Sequence, residues 1–265
     1  MGNVVIVYGA SGTGKSTSLK NFAENEIFLV NVQGKRPPFR KSFKYTYVPS
    51  AEKDGKAVDI AQCICNGLTN MGRAGIKTAV IDDAGYLMTQ EFMAKHTKRK
   101  GSQSYDLYNE IADSIWKLVN HVSRSLPDEV IVYLMFHEIQ NDYGSTKIRT
   151  IGRLLDEKVC IEGTATVCVR CVTDGKRHWF VTQNSGNDIS KSPEGMLPLE
   201  MPNDLKMVDC CIRDYWGLAP IGEQIFPDDL EQHDTSEPEQ AEEVEQADEA
   251  EAETETVTEE DMIFG

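Results

Sequence analysis

Short apolar runs alternate with amphipathic stretches along most of this chain. Residues 3–8 (NVVIVY) form a β-branched apolar run and predict a buried strand. A glycine-rich segment follows, and residues 15–24 predict a helix. Apolar strands are predicted again at 27–32, 45–48 and 77–81, the last ending in Asp82-Asp83. Residues 54–71 predict a helix with Val58, Ala61, Ile64, Cys65 and Leu68 on one face. Residues 107–125 predict another, with Ile111, Ile115, Leu118 and Val122 at helical spacing. A fourth strand is expected at 129–136, ending at His137-Glu138. Residues 159–172 and 177–182 predict two strands joined by a turn at Asp174-Gly175, a hairpin signal. A last helix is expected at 204–215, and 34–40, 94–104 and 186–202 are expected loops. Strands alternating with helices imply an α/β fold: a mostly parallel sheet flanked by helices. The late hairpin adds an antiparallel C-terminal extension on one edge.

Charge divides the chain in two. The 265 residues carry a net charge of −16. The segment 228–265 holds 17 Asp and Glu and no Lys or Arg, which leaves 26 acids against 27 bases in residues 1–227. A near-neutral globular domain (1–227) with a disordered acidic tail (228–265) is therefore expected, since such a charge run has no apolar surface to bury. The tail ends in Asp261-Met262-Ile263-Phe264-Gly265, a hydrophobic tip on an acidic run. It resembles the C-terminal tip of bacterial single-stranded-DNA-binding proteins, which recruits partner proteins. A replication or recombination protein is accordingly an expected partner, and the tail competing for the chain's own basic groove is the alternative.

No apolar run approaches the 18 residues of a membrane span, and the N-terminus has no basic n-region. A cytoplasmic protein with no membrane association is expected. The seven cysteines are an odd number, consistent with reduced thiols. Cys168 and Cys171 have C-x-x-C spacing inside an apolar run, with no second pair at zinc spacing, and are expected to be core thiols.

The chemistry begins at Gly9-Ala10-Ser11-Gly12-Thr13-Gly14-Lys15-Ser16, followed by Thr17. The octapeptide fits G-x-x-x-x-G-K-[ST] without a mismatch, between an apolar strand and a predicted helix. Glycines let the backbone turn its N–H groups toward phosphate oxygens, and a helix N-terminus adds a favourable dipole. Lys15 is expected to reach the β- and γ-phosphates of ATP, and Ser16 to place its hydroxyl on Mg²⁺. Asp82, at the end of an apolar strand, is the expected second Mg²⁺ residue. Asp83 fits either a water-orienting role or a cap for the following helix. His137, at a strand end, fits a γ-phosphate sensor or a structural histidine; Glu138 is an alternative water-positioning residue.

Two basic clusters lie in predicted loops near aromatic residues: Lys35, Arg36, Arg40, Lys41 and Lys44, and then Lys95, Lys98, Arg99 and Lys100. Basic groups neutralise phosphates and aromatics stack on unpaired bases, so both are candidate single-stranded DNA contacts, or solvated surface. Arg153 and Lys191 are late basic residues. Either fits the cation that ring- and filament-forming ATPases donate to a neighbouring subunit's site, or ordinary surface charge; a homo-oligomer is expected on the first reading.

The order of these segments carries a resemblance. After the phosphate loop come Asn31-Val32-Gln33-Gly34-Lys35-Arg36, the strand to Asp82 and the strand to His137. Then follow residues 150–158 (TIGRLLDEK), 180–184 (FVTQN) and 191–196 (KSPEGM). Over residues 3–217 this order resembles phage-encoded P-loop nucleotide-binding proteins with a RecA-like core. That group includes the RecA-like single-strand annealing proteins of phage recombination systems. The resemblance implies a small P-loop ATPase core, single-stranded DNA binding, and a role in annealing, recombination or replication in the host cytoplasm; an ATP-switched loader or regulator of replication proteins, or a nucleotide or small-molecule kinase, is the alternative. The resemblance also implies that Gly9 to Ser16 hold the phosphates, that Asp82 holds Mg²⁺, that His137 is the sensor and that Lys191 is a candidate cation acting across subunits; with Lys15 and Asp83 as read above, these are the expected catalytic residues. One departure matters: RecA-like ATPases commonly place a catalytic Glu after the second strand, and Asn31-Val32-Gln33 supplies no acid. Slow hydrolysis is therefore expected.

Overall fold

A computed structural model of the chain describes residues 1–53, 56–99, 103–142, 144–151 and 159–227. The elements are β1 (Asn3–Gly9), β2 (Ile27–Asn31), β3 (Tyr45–Tyr47), β4 (Glu52–Lys53), β5 (Lys56–Ala57), α1 (Ile60–Met71), β6 (Thr78–Asp82), α2 (Gly85–Lys95) and α3 (Gln103–Ser125). They continue as β7 (Ile131–Gln140), β8 (Thr146–Ile148), α4 (Ile161–Thr164), β9 (Val167–Thr173), β10 (His178–Val181), β11 (Glu200–Pro202) and α5 (Leu205–Tyr215).

The main sheet runs in the order β11-β10-β9-β1-β7-β6-β2-β3, with β8 paired to the end of β7. From β9 to β3 all pairings are parallel. β10 and β11 add antiparallel strands at the β9 edge, as the late hairpin predicts. β7 separates β1, which carries the glycine-rich loop, from β6, which carries Asp82. This is the RecA-like arrangement. It leaves the cleft above β7 open for a ligand at the C-terminal ends of the strands.

β1 is apolar from Val4 to Tyr8 because both its faces are covered there. Val4, Ile6 and Tyr8 face the cluster built by α1, α2 and α3, with Ile64, Leu68, Ile111 and Val122 at its centre. Val5 and Val7 face the opposite cluster, with Phe22, Phe180, Leu205, Val208 and Ile212. The base of the sheet is fastened by a buried polar network. Arg213 on α5 donates to Asp209 Oδ2 (2.6 Å), Thr78 Oγ1, and the carbonyls of Lys77, Glu129 and Ala219. Asp209 in turn accepts from the hydroxyls of Thr78 and Tyr133, both at 3.0 Å. All five guanidinium N–H groups have an acceptor, which is what allows a fully buried charge.

Several elements differ from the sequence reading. The helix expected over 15–24 is one 3-10 turn, Ser16–Leu19. Ser18 Oγ bonds back to the Lys15 carbonyl (2.6 Å), and Lys41 Nζ takes the carbonyls of Lys20 and Phe22, so helical partners are diverted. The helix expected from 54 starts at Ile60, where Asp59 caps the Gln62 N–H. Residues 85–95 form α2, which the sequence reading left unassigned; only Leu87 and Met88 are buried along it, too few for a periodic signal. The basic segment expected as a loop over 94–104 therefore begins on a helix and continues as the 3-10 turn His96–Lys98. β7 does not end at His137 but runs on to Gln140, paired with β8. The strand expected over 159–172 divides into α4 and β9. Arg153, Lys100 and the acidic tail lie outside the described residues. No helix among the described residues is long and apolar enough to cross a membrane.

Candidate functional site

The glycine-rich loop leaves β1 at Gly9 and is held tightly from below. A Cβ at Gly9 would stand 2.3 Å from the Cys171 carbonyl oxygen on β9, so only glycine lets the two backbones meet there. Gly14 has φ 101, and a Cβ there would reach 2.5 Å from Asn203 Nδ2. Four of the loop's carbonyls, those of Gly9, Ala10, Thr13 and Gly14, accept side-chain bonds. Lys15 Nζ donates to Gly9 O and Ala10 O (both 2.8 Å), and Thr13 Oγ1 donates to Ala10 O. His178 Nδ1 (2.7 Å) and Cys171 Sγ (3.0 Å) donate to Thr13 O, and Asn203 Nδ2 donates to Gly14 O (2.9 Å). With these oxygens drawn to donors beneath it, the glycine-rich turn forms the kind of backbone N–H concavity that binds anions. The single 3-10 turn that follows carries little macrodipole, so Lys15 and these N–H groups supply the positive field.

His178 and Asn203 were not found from sequence. They reach the loop from the antiparallel extension, and no local motif announces them.

Across the cleft, Ser16 Oγ donates to Asp82 Oδ1 at 3.1 Å. The two residues that were expected to share Mg²⁺ are thus side by side. Burial lowers the Lys15 pKa and raises that of Asp82. A phosphate beside Lys15 and a cation beside Asp82 would relieve both. The donor set, one hydroxyl and one carboxylate, suits Mg²⁺, which takes few protein ligands and the rest from phosphate and water. Among the described residues there is no group of three or more His, Cys, Asp or Glu able to cage a metal by themselves.

Asp83 has φ 60, a left-handed conformation that is strained for a non-glycine residue. Its carboxylate accepts from His137 Nε2 (3.2 Å) and Lys35 Nζ (3.1 Å), and these bonds hold its pKa below the ordinary carboxylate value. Its side chain does not cap α2, whose N-cap Ala84 has no side-chain bond. His137 packs edge-on against Tyr86, and Lys35 lies over the same ring. Glu138 is clamped by Arg170 through two bonds of 2.8 and 3.1 Å, which occupy both its oxygens. One cleft of about 640 Å³ is lined by the loop, Asp82, Asp83, His137, Glu138, Lys35, Arg36, Arg149 and His178.

The remaining expected residues fall elsewhere. Lys191 pairs its backbone with Cys168 and is not among the residues lining this cleft. Lys95 and Arg99 are bonded to Glu91 and Glu110, which neutralises that part of the second basic cluster. Cys168 and Cys171 are buried free thiols on opposite faces of β9, so they share no metal, and burial pushes them up to about 12 and about 11.

A search of curated proteins found no match. Among solved structures, a KaiC-like protein from the hyperthermophilic archaeon Pyrococcus horikoshii OT3 is similar at 13% identity and a TM-score of 0.45. The aligned region covers 76% of this chain and 84% of that one. The fold assignment rests on the strand order and not on this likeness. A family model described as "AAA domain" matches residues 1–191. With that match over a loop, strand order and cleft built for a nucleotide, the chain belongs to the AAA domain family and is an ATP-binding P-loop protein.

Proposed function

We propose that the protein hydrolyses ATP in this cleft. The observation that carries the reading is Asp83, held by His137 and Lys35 beside the Lys15–Ser16–Asp82 group. Lys15 and the loop N–H groups, from Gly9 through Thr17, would hold the phosphates. Ser16 and Asp82 would hold Mg²⁺, which when bound draws charge from the phosphate oxygens. Asp83 would take the proton of the attacking water as its oxygen bonds to the γ-phosphorus and the bond to the β-phosphate oxygen breaks. His137 would orient Asp83. Glu138, already clamped by Arg170, is the weaker choice for that role.

Single-stranded DNA is the proposed effector, and recombination or replication the proposed setting. Support comes from β7, which carries His137 and continues into the β7–β8 hairpin with Lys147 and Arg149. Strand movement there would reach the site through the backbone alone. Lys191 acting across subunits of a homo-oligomer belongs to the same proposal. The test is ATP turnover with Mg²⁺, with and without a single-stranded oligonucleotide, beside anisotropy of a labelled oligonucleotide over a salt series. Salt-sensitive binding with raised turnover supports the reading. Turnover without any DNA binding or response would remove DNA and leave an ATPase switch.

A further inference from the structure

The loop after β2 brings a second lysine to the phosphate end of the cleft. The end of β2 lies beside the end of β6, with Asn31 paired to Asp82. Asn31 Nδ2 then holds the Lys35 carbonyl at 2.7 Å, so the backbone of Lys35 is fixed next to the site. Its side chain is 65% exposed, and its ammonium rests on Asp83 Oδ2 at 3.1 Å and over the Tyr86 ring. Asp83, only 15% exposed and strained at φ 60, has its other oxygen on His137.

Lys15 shows the same arrangement: its ammonium rests on the carbonyls of Gly9 and Ala10. Both lysines of the cleft are thus on protein acceptors, and both line the same space as the glycine-rich loop. The two differ in what they uncover on leaving. Lys15 uncovers backbone carbonyls, whereas Lys35 uncovers the carboxylate that the proposed hydrolysis needs.

We infer that Lys35 is a γ-phosphate-binding residue of this cleft, and that its transfer from Asp83 to the terminal phosphate frees Asp83 to orient water. The inference rests on the proposed binding of ATP here. A terminal phosphate offers Lys35 more negative charge than one carboxylate, so the exchange is favourable with ATP and has no counterpart with ADP. It also gives a cation from the same chain a duty that neighbouring subunits supply elsewhere. With the backbone left-handed at Asp83, its carboxylate meets Lys35 and His137 at once.

The test is equilibrium binding of ADP and of a non-hydrolysable ATP analogue, both with Mg²⁺, to wild type, Lys35→Gln, Lys35→Arg, Asp83→Asn and the double variant Lys35→Gln/Asp83→Asn. Lys35→Gln should weaken the ATP analogue about 10- to 100-fold, the size of one charge-assisted contact, and leave ADP within about twofold. Lys35→Arg should restore most of the discrimination. Asp83→Asn should tighten the ATP analogue when Lys35 is present, because its competitor is gone, and much less in the Lys35→Gln background. An unchanged ratio of ATP-analogue to ADP affinity in Lys35→Gln would overturn the assignment while leaving the nucleotide site intact. Failure of the wild type to bind either nucleotide would overturn the site itself.

Discussion

The Ser16 hydroxyl donates to Asp82 Oδ1 at 3.1 Å, joining residues 66 apart in the chain. One stands at the end of the glycine-rich loop and the other at the end of β6, and β7 lies between their strands. On the proposed reading a cation would sit at this contact, next to the γ-phosphate.

Asp82→Asn should therefore abolish the Mg²⁺ dependence of nucleotide affinity and lower turnover by at least ~10–100-fold, the loss usual for residues that orient a metal site. Titrating ATP with and without Mg²⁺ checks this. A variant whose affinity still rises with Mg²⁺ as in the wild type would contradict the assignment.

Asp83→Asn should separate binding from chemistry. Turnover should fall by ~10²–10⁴-fold, the range of a lost general base, with nucleotide still bound. Equal turnover in variant and wild type would transfer the role to another residue.

The same carboxylate has a signature in stability. Because His137 and Lys35 hold its pKa below the ordinary value, folding releases a proton from it. It contributes stability above the unfolded pKa of about 3.9, and that contribution is lost as pH falls through the lower folded value. Urea midpoints of the wild type should fall more steeply than those of Asp83→Asn from about pH 5 to about pH 3. Parallel curves would show that the bonds to His137 and Lys35 are not maintained in solution.

His178 and Asn203 each donate to a carbonyl of the phosphate loop. The double variant His178→Ala/Asn203→Ala loses two hydrogen bonds of ~0.5–1.5 kcal/mol each. It should weaken ATP roughly 5- to 150-fold at the limits of that range, with ADP weakened equally because the loop itself is loosened. Unchanged affinity would mean the loop keeps its shape without them.

Far from the cleft, Arg213→Ala should destabilise the fold by about 3–5 kcal/mol, since it leaves Asp209 charged, buried and short of a partner. Chemical denaturation reads this directly. Replacing both members of the pair by apolar residues should cost less than Arg213→Ala alone.

The legible parts of the site are those set by local backbone chemistry. The glycine spacing requires the turn that Gly9 and Gly14 make, and the apolar strand before Asp82 requires a sheet around it. What was not legible depends on distant partners. His178 lies 165 residues from Thr13, and Asn203 lies 189 from Gly14, so no window contains both ends of either bond. Charge is visible in a sequence but its neutralisation is not: the basic residues Lys35, Lys95 and Arg99 carry no local sign that Asp83 partners the first and Glu110 the other two. β7 looked finished at His137 because Glu138 and Gln140 are polar, yet the strand continues by pairing with β8 beyond the core.

The central claim is that this cleft binds ATP through Lys15. Calorimetric titration of Mg²⁺-ATP into the wild type and Lys15→Ala tests it most directly. The account predicts saturable binding by the wild type, and a loss of roughly 100-fold or more in a variant that melts at the same temperature, in line with removing a charged hydrogen-bonding partner of phosphate. Wild-type affinity in Lys15→Ala would contradict it.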